Sequence, residues 1–194
     1  MRVGLLALTL LLVWPTAAAA DWQFRPFLGL TFGGDTTLVD LAGASGSPNL
    51  VFGGNAAFLG DVLGVEVDVG YAPGFFQSGD ERLVLGNSAT TVTGNLVIAV
   101  PRHVTEYTLG PYFVAGFGLM HAHIEDVLGV LSVSRTLPAV NFGGGVTGFL
   151  SKRIGLNWEA RYFSSISRSE TQGVSFGAEQ LSFWRASMGL VVRY

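Results

Sequence analysis

Cysteine is absent from the 194 residues of the chain. Its absence excludes disulfide bonds, cysteine-based metal sites, cysteine nucleophiles and a lipid-modified N-terminal cysteine. Charged side chains are also scarce, at 13% of the chain, whereas 49% of the residues are hydrophobic. Because soluble domains carry about 25% charged residues, this composition is typical of a chain whose outer surface contacts something other than water.

Basic residues are also few. The chain has 11 basic and 14 acidic residues, a formal net charge of −3. Nothing in it forms the clustered Lys and Arg patch that a nucleic acid would need. We therefore predict no nucleic-acid partner, and no motif predicts a cofactor.

A long apolar run with a positive residue before it lies at the N-terminus. Arg2 precedes the apolar stretch Val3–Val13, and the small residues Ala18–Ala20 precede Asp21. This order is that of a cleaved signal peptide, and the apolar stretch is too short for a membrane anchor. We predict a signal peptide at residues 1–20 and one mature domain at residues 21–194.

The mature region has no segment with the composition of a membrane helix. The candidate stretch Leu83–Val100 is uncharged but filled with Thr, Asn, Ser and Gly, which are poor helix formers. From Thr91 onward the stretch alternates between apolar and polar residues, as a strand does. High hydrophobicity without helices indicates β-structure that faces lipid.

Eight segments show this alternation, each close to the roughly ten residues of a tilted transmembrane strand. They are about Gln23–Gly33, Asn49–Leu59, Gly64–Phe75, Thr91–Val100, Thr108–Met120, Pro138–Leu150, Ile154–Ser164 and Gln180–Tyr194. The connections Gly60–Leu63, Pro101–Tyr107 and Ser151–Arg153 are short, whereas Thr36–Pro48, Gln77–Thr90, His121–Leu137 and Ser165–Glu179 are long and mostly polar. Regular alternation of short and long connections is typical of the periplasmic turns and extracellular loops of an outer-membrane barrel.

Several runs carry a family resemblance: GNLVIAVP (Gly94–Pro101), GPYFVAGFGL (Gly110–Leu119), FGGGVTGFLS (Phe142–Ser151) and the ending MGLVVRY. With these runs the chain resembles the small OmpA/OmpX-like eight-stranded outer-membrane β-barrel family. The resemblance implies an all-β, transmembrane, eight-stranded antiparallel up-and-down barrel in the outer membrane of a Gram-negative bacterium. It also implies that the barrel assembly machinery reads the C-terminal signal formed by Leu190, Val192 and Tyr194.

A soluble lipocalin-like barrel, with its apolar face turned inward, is the alternative that alternation cannot exclude. Aromatic residues near the strand ends favour the membrane form, where they would form interfacial girdles. These residues are Trp22, Phe24, Tyr71, Phe75, Tyr162, Phe163 and Tyr194.

Charged residues in mid-strand predict the contents of the lumen. The predicted lumen charge network is Arg25, Glu66, Asp68, Glu159, Arg161 and Arg185, with Asn95, Asn141 and Arg193 also inward. Eight strands leave an interior just wide enough for side chains, so we expect these groups to pair and plug the barrel. A gate or a conduction path is the alternative.

Two other motifs, a glycine run and a histidine cluster, resemble ligand sites but predict none. The run Gly143–Gly148 matches GxGxxG but lies inside a predicted strand rather than between a strand and a helix, so it predicts no nucleotide site. His121, His123 and Glu125 would share one face if the fifth strand continued into its loop, and could then bind a divalent metal. Lipid-A deacylases place a Ser two residues after a His, and here His123 occupies that position. We therefore predict solvated loop residues, with no metal and no catalytic role.

The most direct functional hypothesis is a non-enzymatic structural or surface-interaction protein that acts through four long extracellular loops. A narrow channel for small solutes is the second hypothesis, and a lipid-modifying enzyme is the third. The expected partners are outer-membrane lipid, the barrel assembly machinery and an extracellular ligand or host surface. We expect the barrel to be a monomer.

Overall fold

The computed structural model describes residues 20–36, 48–76, 84–101, 109–126, 132–166 and 181–194. Their strands are β1 (Asp21–Thr36), β2 (Asn49–Leu59), β3 (Leu63–Pro73), β4 (Val84–Ala99), β5 (Leu109–Asp126), β6 (Ser132–Phe149), β7 (Ile154–Ser165) and β8 (Leu181–Arg193). In the part of the chain that is described, no helix has the length and apolar character to cross a membrane. The predicted signal peptide lies outside the described residues, apart from Ala20.

Each strand pairs antiparallel with the next, and β8 pairs with β1 to close the sheet into a barrel. The last residue takes part in this closure, because the Tyr194 amide donates to the Trp22 carbonyl at 2.9 Å. A closed barrel satisfies its backbone groups internally and leaves no edge, which is the condition for strands in hydrocarbon. The predicted eight-stranded antiparallel barrel is confirmed.

The two ends of the barrel carry different connections. The turn end carries the connections at residues 60–62, 100–108 and 150–153, together with the start of β1 and the end of β8. The loop end carries the connections at residues 37–48, 74–83, 127–131 and 166–180.

The outer wall of the barrel is apolar. On β3, Val65, Val67 and Val69 are each at least 44% exposed, whereas Glu66 and Asp68 are at most 2% exposed. Large apolar side chains on the other strands point outward in the same way, Leu28, Leu96, Phe113, Phe142 and Met188 among them. A soluble protein does not cover its wall with such a surface, so the lipocalin-like alternative is wrong for this chain.

Three strands extend further toward the loop end than the sequence predicts. β4 begins at Val84 rather than Thr91, β5 continues to Asp126 rather than Met120, and β6 begins at Ser132 rather than Pro138. The backbone hydrogen bonds between these strands continue toward the loop end. Neighbouring strands bond each other's N–H and C=O groups whether or not lipid covers their side chains. The outward positions there are polar rather than apolar, His121 and His123 on β5 among them, which is why the sequence predicts a loop there.

The extension changes the predicted pattern of connections. The predicted long loop His121–Leu137 is mostly strand, and the β5–β6 connection has only the five residues 127–131. The connection 100–108 at the turn end is longer than this. The prediction of four long loops and of strict alternation between short and long connections was therefore wrong at this hairpin.

Candidate functional site in the barrel interior

Six charged side chains meet inside the barrel at mid-height: Arg25, Glu66, Asp68, Glu159, Arg161 and Arg185. We call them the lumen charge cluster. All six are at most 6% exposed, and they come from β1, β3, β7 and β8. Three guanidinium groups face three carboxylates, so the ionised cluster is neutral as a whole. Burying charge is costly unless it is paired and hydrogen-bonded. Each guanidinium below pairs with at least one carboxylate, although Arg161 Nη1 and Arg185 Nε have no hydrogen-bond partner among the described residues.

Arg161 lies at the centre of the lumen charge cluster. Its Nε and Nη2 donate to the Glu159 carboxylate, and Nη2 also donates to Glu66 Oε1 at 2.7 Å. Its Nη1 lies 4.0 Å from Asp68 Oδ2. One guanidinium therefore contacts all three carboxylates, so a change to Arg161 affects every acid in the cluster.

Arg185 forms the most regular ion pair. Its Nη1 and Nη2 donate to Asp68 Oδ1 and Oδ2, each at 2.9 Å, in the bidentate geometry that guanidinium and carboxylate groups favour. The guanidinium carbon lies 4.5 Å from the ring centroid of Phe27 and 4.9 Å from that of Phe163. Nη2 also lies 3.4 Å from Glu159 Oε1. Two aromatic faces and two carboxylates thus hold this side chain in place.

Arg25 is bound more loosely at the turn-end side of the cluster. Its Nη1 lies 3.5 Å from Glu66 Oε2, while Nη2 donates to Gln23 Oε1 at 2.8 Å. The guanidinium carbon lies 5.2 Å from the ring centroid of Tyr112.

Neutral polar groups complete the hydrogen bonding of the carboxylates. Asn95 donates to Glu66 at 3.1 Å, and Asn141 donates to Asn95 at 2.7 Å. The Tyr112 hydroxyl donates to Glu159 Oε2 at 2.7 Å. Tyr112 was not among the predicted lumen residues, because its neighbours on both faces of β5 are apolar and alternation gives no signal there.

Arg193 takes no part in the lumen charge cluster. It lies at the turn end, where its Nε is 3.3 Å from Asp21 Oδ2 and its guanidinium carbon is 3.8 Å from the ring centroid of Phe149. Its predicted inward orientation brings it to the turn-end mouth rather than to the centre.

The glycine run of β6 makes room for the cluster. A Cβ added at Gly143 would lie 2.9 Å from Arg161 Cγ, and one added at Gly145 would lie 2.6 Å from the Tyr112 hydroxyl oxygen. Larger residues would therefore displace both side chains. The run lies in mid-strand within β6 (Ser132–Phe149), as expected from the sequence, and not at a helix N-terminus that could bind phosphate.

An apolar layer lies in the lumen on the loop-end side of the charge cluster. We call it the aromatic layer; it consists of Phe75, Phe76, Phe163 and Phe183 with Met120 and Leu181, all at most 2% exposed. The Phe183 ring centroid lies 4.9 Å from that of Phe75 and 5.2 Å from that of Phe163.

Phe75 and Phe76 enter the lumen from the segment that follows β3. Gly74 has a φ of +71°, a conformation that side chains with a Cβ disfavour, and it turns the chain inward. Asn49 Nδ2 then donates to the Phe75 carbonyl at 3.1 Å, and the Phe76 amide donates to Asn87 Oδ1 at 3.0 Å. These bonds anchor the segment to β2 and β4.

The predicted membership of Phe75 and Phe163 in an interfacial girdle is wrong, since both are fully buried in the aromatic layer. Adjacent strand residues point to opposite faces, so Tyr162 and Phe163 cannot both face lipid. Phe75 lies beyond the end of β3 at Pro73, where strand alternation no longer determines its direction.

A second apolar group, formed by Ala57, Leu59, Val97, Tyr112 and Val114, lies on the turn-end side. The lumen charge cluster therefore lies between two apolar layers. Low local polarity strengthens hydrogen bonds and ion pairs that are fully satisfied, and it raises the cost of any that are broken.

The predicted histidine cluster lies on strand β5 and not in a loop. His121 faces outward, with Nδ1 2.9 Å from the Thr136 hydroxyl and Nε2 3.2 Å from the Ser134 hydroxyl. The second partner of the imidazole is thus a hydroxyl and not the carboxylate that orients the base of a Ser–His–acid triad. The backbone of Glu125 belongs to β5, but its side chain is outside the described part, and no trio of His, Asp or Glu in that part could hold a metal.

The predicted C-terminal signal lies on the outer wall. Leu190 and Tyr194 are exposed and Val192 is partly exposed, so all three face outward at the turn end of β8.

The outer membrane protein beta-barrel domain profile matches residues 5–192. No curated protein sequence matches the chain. Among solved structures, Neisserial surface protein A (NspA) superposes with a TM-score of 0.64 at 14% identity, covering 90% of this chain and 97% of that one. OprG from Pseudomonas aeruginosa gives a TM-score of 0.60 at 15% identity, covering 91% and 97%.

The attachment invasion locus protein Ail of Yersinia pestis gives a TM-score of 0.51 at 11% identity, covering 90% of this chain and 99% of its own. At these identities the structural likenesses show the fold alone. The profile match covers nearly the whole chain, and the closed barrel has an apolar outer wall. This chain therefore belongs to the outer membrane protein β-barrel family and lies in the lipid of a Gram-negative outer membrane.

Proposed function

We propose that the protein is a non-enzymatic outer-membrane barrel that is closed at rest and acts through its extracellular connections. The observation that carries this proposal is the neutral lumen charge cluster between two apolar layers. An ion that crosses the barrel would have to break bidentate and multiply bonded ion pairs and then pass the aromatic layer. Neither step has a compensating interaction in the described interior.

The connections at the loop end are the parts left free to bind something. We assign the loop end to the cell exterior, because outer-membrane barrels keep short turns on the periplasmic side. Three connections there have ten or more residues, and the extended β5–β6 hairpin projects beside them. Loops on a rigid scaffold are the usual carriers of recognition.

The charge of these segments favours one class of ligand. The four connections at the loop end, residues 37–48, 74–83, 127–131 and 166–180, contain five acidic and two basic residues, a net charge of −3. The rest of residues 21–194 has a net charge of −1 by the same count. The related Ail was crystallised with the heparin analogue sucrose octasulfate, but an acidic loop surface favours neutral or cationic ligands over a sulfated one.

The non-enzymatic part of the proposal rests on the outer wall. The exposed Ser134–His121 pair has no carboxylate on the other imidazole nitrogen among the described contacts. We propose that this pair ties β5 to β6, that the barrel is a monomer in lipid, and that the assembly machinery reads its last strand.

Planar bilayer recordings of the purified protein test the closed barrel. We expect rare, small openings in the wild type, and larger ones when Phe75 and Phe183 are both changed to Ala. Phe113→Ala on the outer wall is the matched control and should leave the recordings unchanged. A steady, ion-selective conductance that is lost on changing Arg161 or Glu66 would support the channel hypothesis instead.

Loop replacement tests the site of function. We expect Gly/Ser replacements of residues 37–47 and 168–179 to abolish adhesion of expressing bacteria to cultured cells, with the barrel's thermal unfolding unchanged. Unchanged adhesion with intact barrels would contradict the proposal.

Lipid-A mass spectra of cells that express the wild type or Ser134→Ala should be identical, and a deacylated species that requires Ser134 would establish an enzyme.

A further inference from the structure

We propose that a groove in the outer wall binds one acyl chain of a phospholipid from the leaflet at the turn end. The groove has a volume of about 590 Å³ and crosses the outer faces of β1 to β5. This volume lies in the range of roughly 300–1,000 Å³ that small-molecule sites occupy. We call it the acyl groove.

Small residues form the floor of the acyl groove. Ala56 on β2 and Gly94 on β4 flank the outward Val67 of β3 in one row across the sheet, Ala115 of β5 lies opposite Leu96, and Phe58 and Phe117 form parts of the rim. A Cβ added at Gly94 would meet no atom within 4 Å. The recess therefore exists because Gly94 has no side chain between Val67 and Phe117, and the small side chains of Ala56 and Ala115 widen it.

The chemistry of the acyl groove excludes a polar occupant. Its outward side chains are alkyl or aromatic, and the polar residues in its wall are Glu66 and Asn95. Both of these side chains are buried in the lumen, where they hydrogen-bond to each other at 3.1 Å. Apart from the indole N–H of Trp22 at its turn end, the side chains that line the groove offer no outward donor or acceptor, so its lining matches a hydrocarbon chain.

The position of the acyl groove selects the leaflet. Trp22 and Phe58, whose ring centroids are 5.2 Å apart, lie next to the start of β1 and the end of β2 at the turn end. Trp side chains favour the membrane–water interface, so the groove starts near the headgroups. From there it rises to Phe117, within the roughly 15 Å that one leaflet's chains span.

Packing, and not hydrophobic transfer, would hold the chain. A lipid tail in the bilayer is already in an apolar medium, so binding gains no hydrophobic free energy. A chain in the acyl groove contacts a floor and two walls, whereas a chain on a convex part of the barrel contacts one surface. Each added contact contributes dispersion energy.

Filling the groove gives a direct test. The folded full-length mature protein is released from nanodiscs of palmitoyl-oleoyl phosphatidylethanolamine, and retained lipid is counted by native mass spectrometry. We expect one retained lipid on the wild type, and a bound fraction reduced about tenfold in Gly94→Leu and in Ala115→Leu. Ala160→Leu adds the same bulk to the exposed outer face of β7, outside the acyl groove, and should retain lipid like the wild type.

A second measurement, the quenching of Trp22 fluorescence, keeps the groove residues unchanged. It therefore does not require that Gly94→Leu or Ala115→Leu folds. Single-tryptophan forms of the mature protein that keep either Trp22 or Trp158 are placed in vesicles whose acyl chains carry bromine. We expect stronger quenching at Trp22 than at Trp158, which also faces outward but lies outside the acyl groove. Equal quenching, equal lipid retention in all variants, or no retained lipid on the wild type would overturn the proposal. So would a wild-type dimer that Gly94→Leu dissociates, since the groove would then bind a second copy.

Discussion

Arg185 and Asp68 are 117 residues apart in sequence, yet they form a bidentate ion pair inside the barrel with both N–O distances at 2.9 Å. The pair joins the last strand to the third across the lumen. Because Arg161 contacts the same carboxylate and both other acids, the interior behaves as one connected network.

Asp68→Asn should destabilise the barrel strongly. The change leaves Arg185 without its bidentate partner in a buried site, and breaking one side of such a pair costs about 3–5 kcal/mol. Urea unfolding in lipid vesicles measures the free energy. Asp61→Asn, in the exposed connection 60–62, is the control and should have little effect. If both variants unfold alike, the lumen charge cluster does not support the fold.

The free-energy cost of a charged residue on the outer wall should depend on how deep the residue lies in the bilayer. Val67→Arg puts a guanidinium in hydrocarbon and should cost about 2–4 kcal/mol, whereas Leu63→Arg, at the turn end of the same face, should cost about 0–1 kcal/mol. Refolding titrations of the two variants give the difference. Equal tolerance would mean that this face of β3 does not contact lipid.

Phe163→Ala should destabilise the aromatic layer. Removing a fully buried ring opens a cavity, and such changes cost about 3–5 kcal/mol. Phe113→Ala removes an equal ring from the outer wall, where Phe113 is 69% exposed and lipid fills the space. The expected result is a large loss of unfolding free energy for the first variant and a small one for the second; the reverse order would place Phe163 outside the core.

Deletion of Tyr194 should lower the amount of assembled, heat-modifiable barrel without changing transcript levels. Tyr194→Phe keeps an aromatic ring and should assemble normally. Semi-native gel electrophoresis of outer-membrane fractions distinguishes the two. Normal assembly of the deletion variant would show that the final aromatic is not read.

Export should remove residues 1–20, so that N-terminal sequencing of the membrane protein finds Asp21. Ala20→Phe places a bulky residue at the cleavage position and should accumulate the precursor. Recovery of the wild type with Met1 retained would contradict the predicted signal peptide.

The sequence predicts which segments are strands and which of their residues face the lumen, because successive side chains of a strand point to opposite faces of the sheet. The alternation of β3 predicts Glu66 and Asp68 on one face and Val65 and Val67 on the other, and the barrel buries the first pair and exposes the second. The same logic predicts Arg161 on the inward face of β7, since Trp158 marks the outward one.

The sequence does not predict which inward side chains pair with each other. The pairing depends on the stagger of the strands in the closed barrel. No local pattern links Asp68 to Arg185 or Tyr112 to Glu159; closure of β8 onto β1 brings these strands within reach. The inward turn of Phe75 and Phe76 also follows from tertiary contacts, namely those of Asn49 and Asn87. The long β5–β6 hairpin escaped prediction for a different reason. Beyond the lipid its outward residues are polar, as His121 and His123 are, and a polar segment is typical of a loop although backbone pairing continues to Glu125.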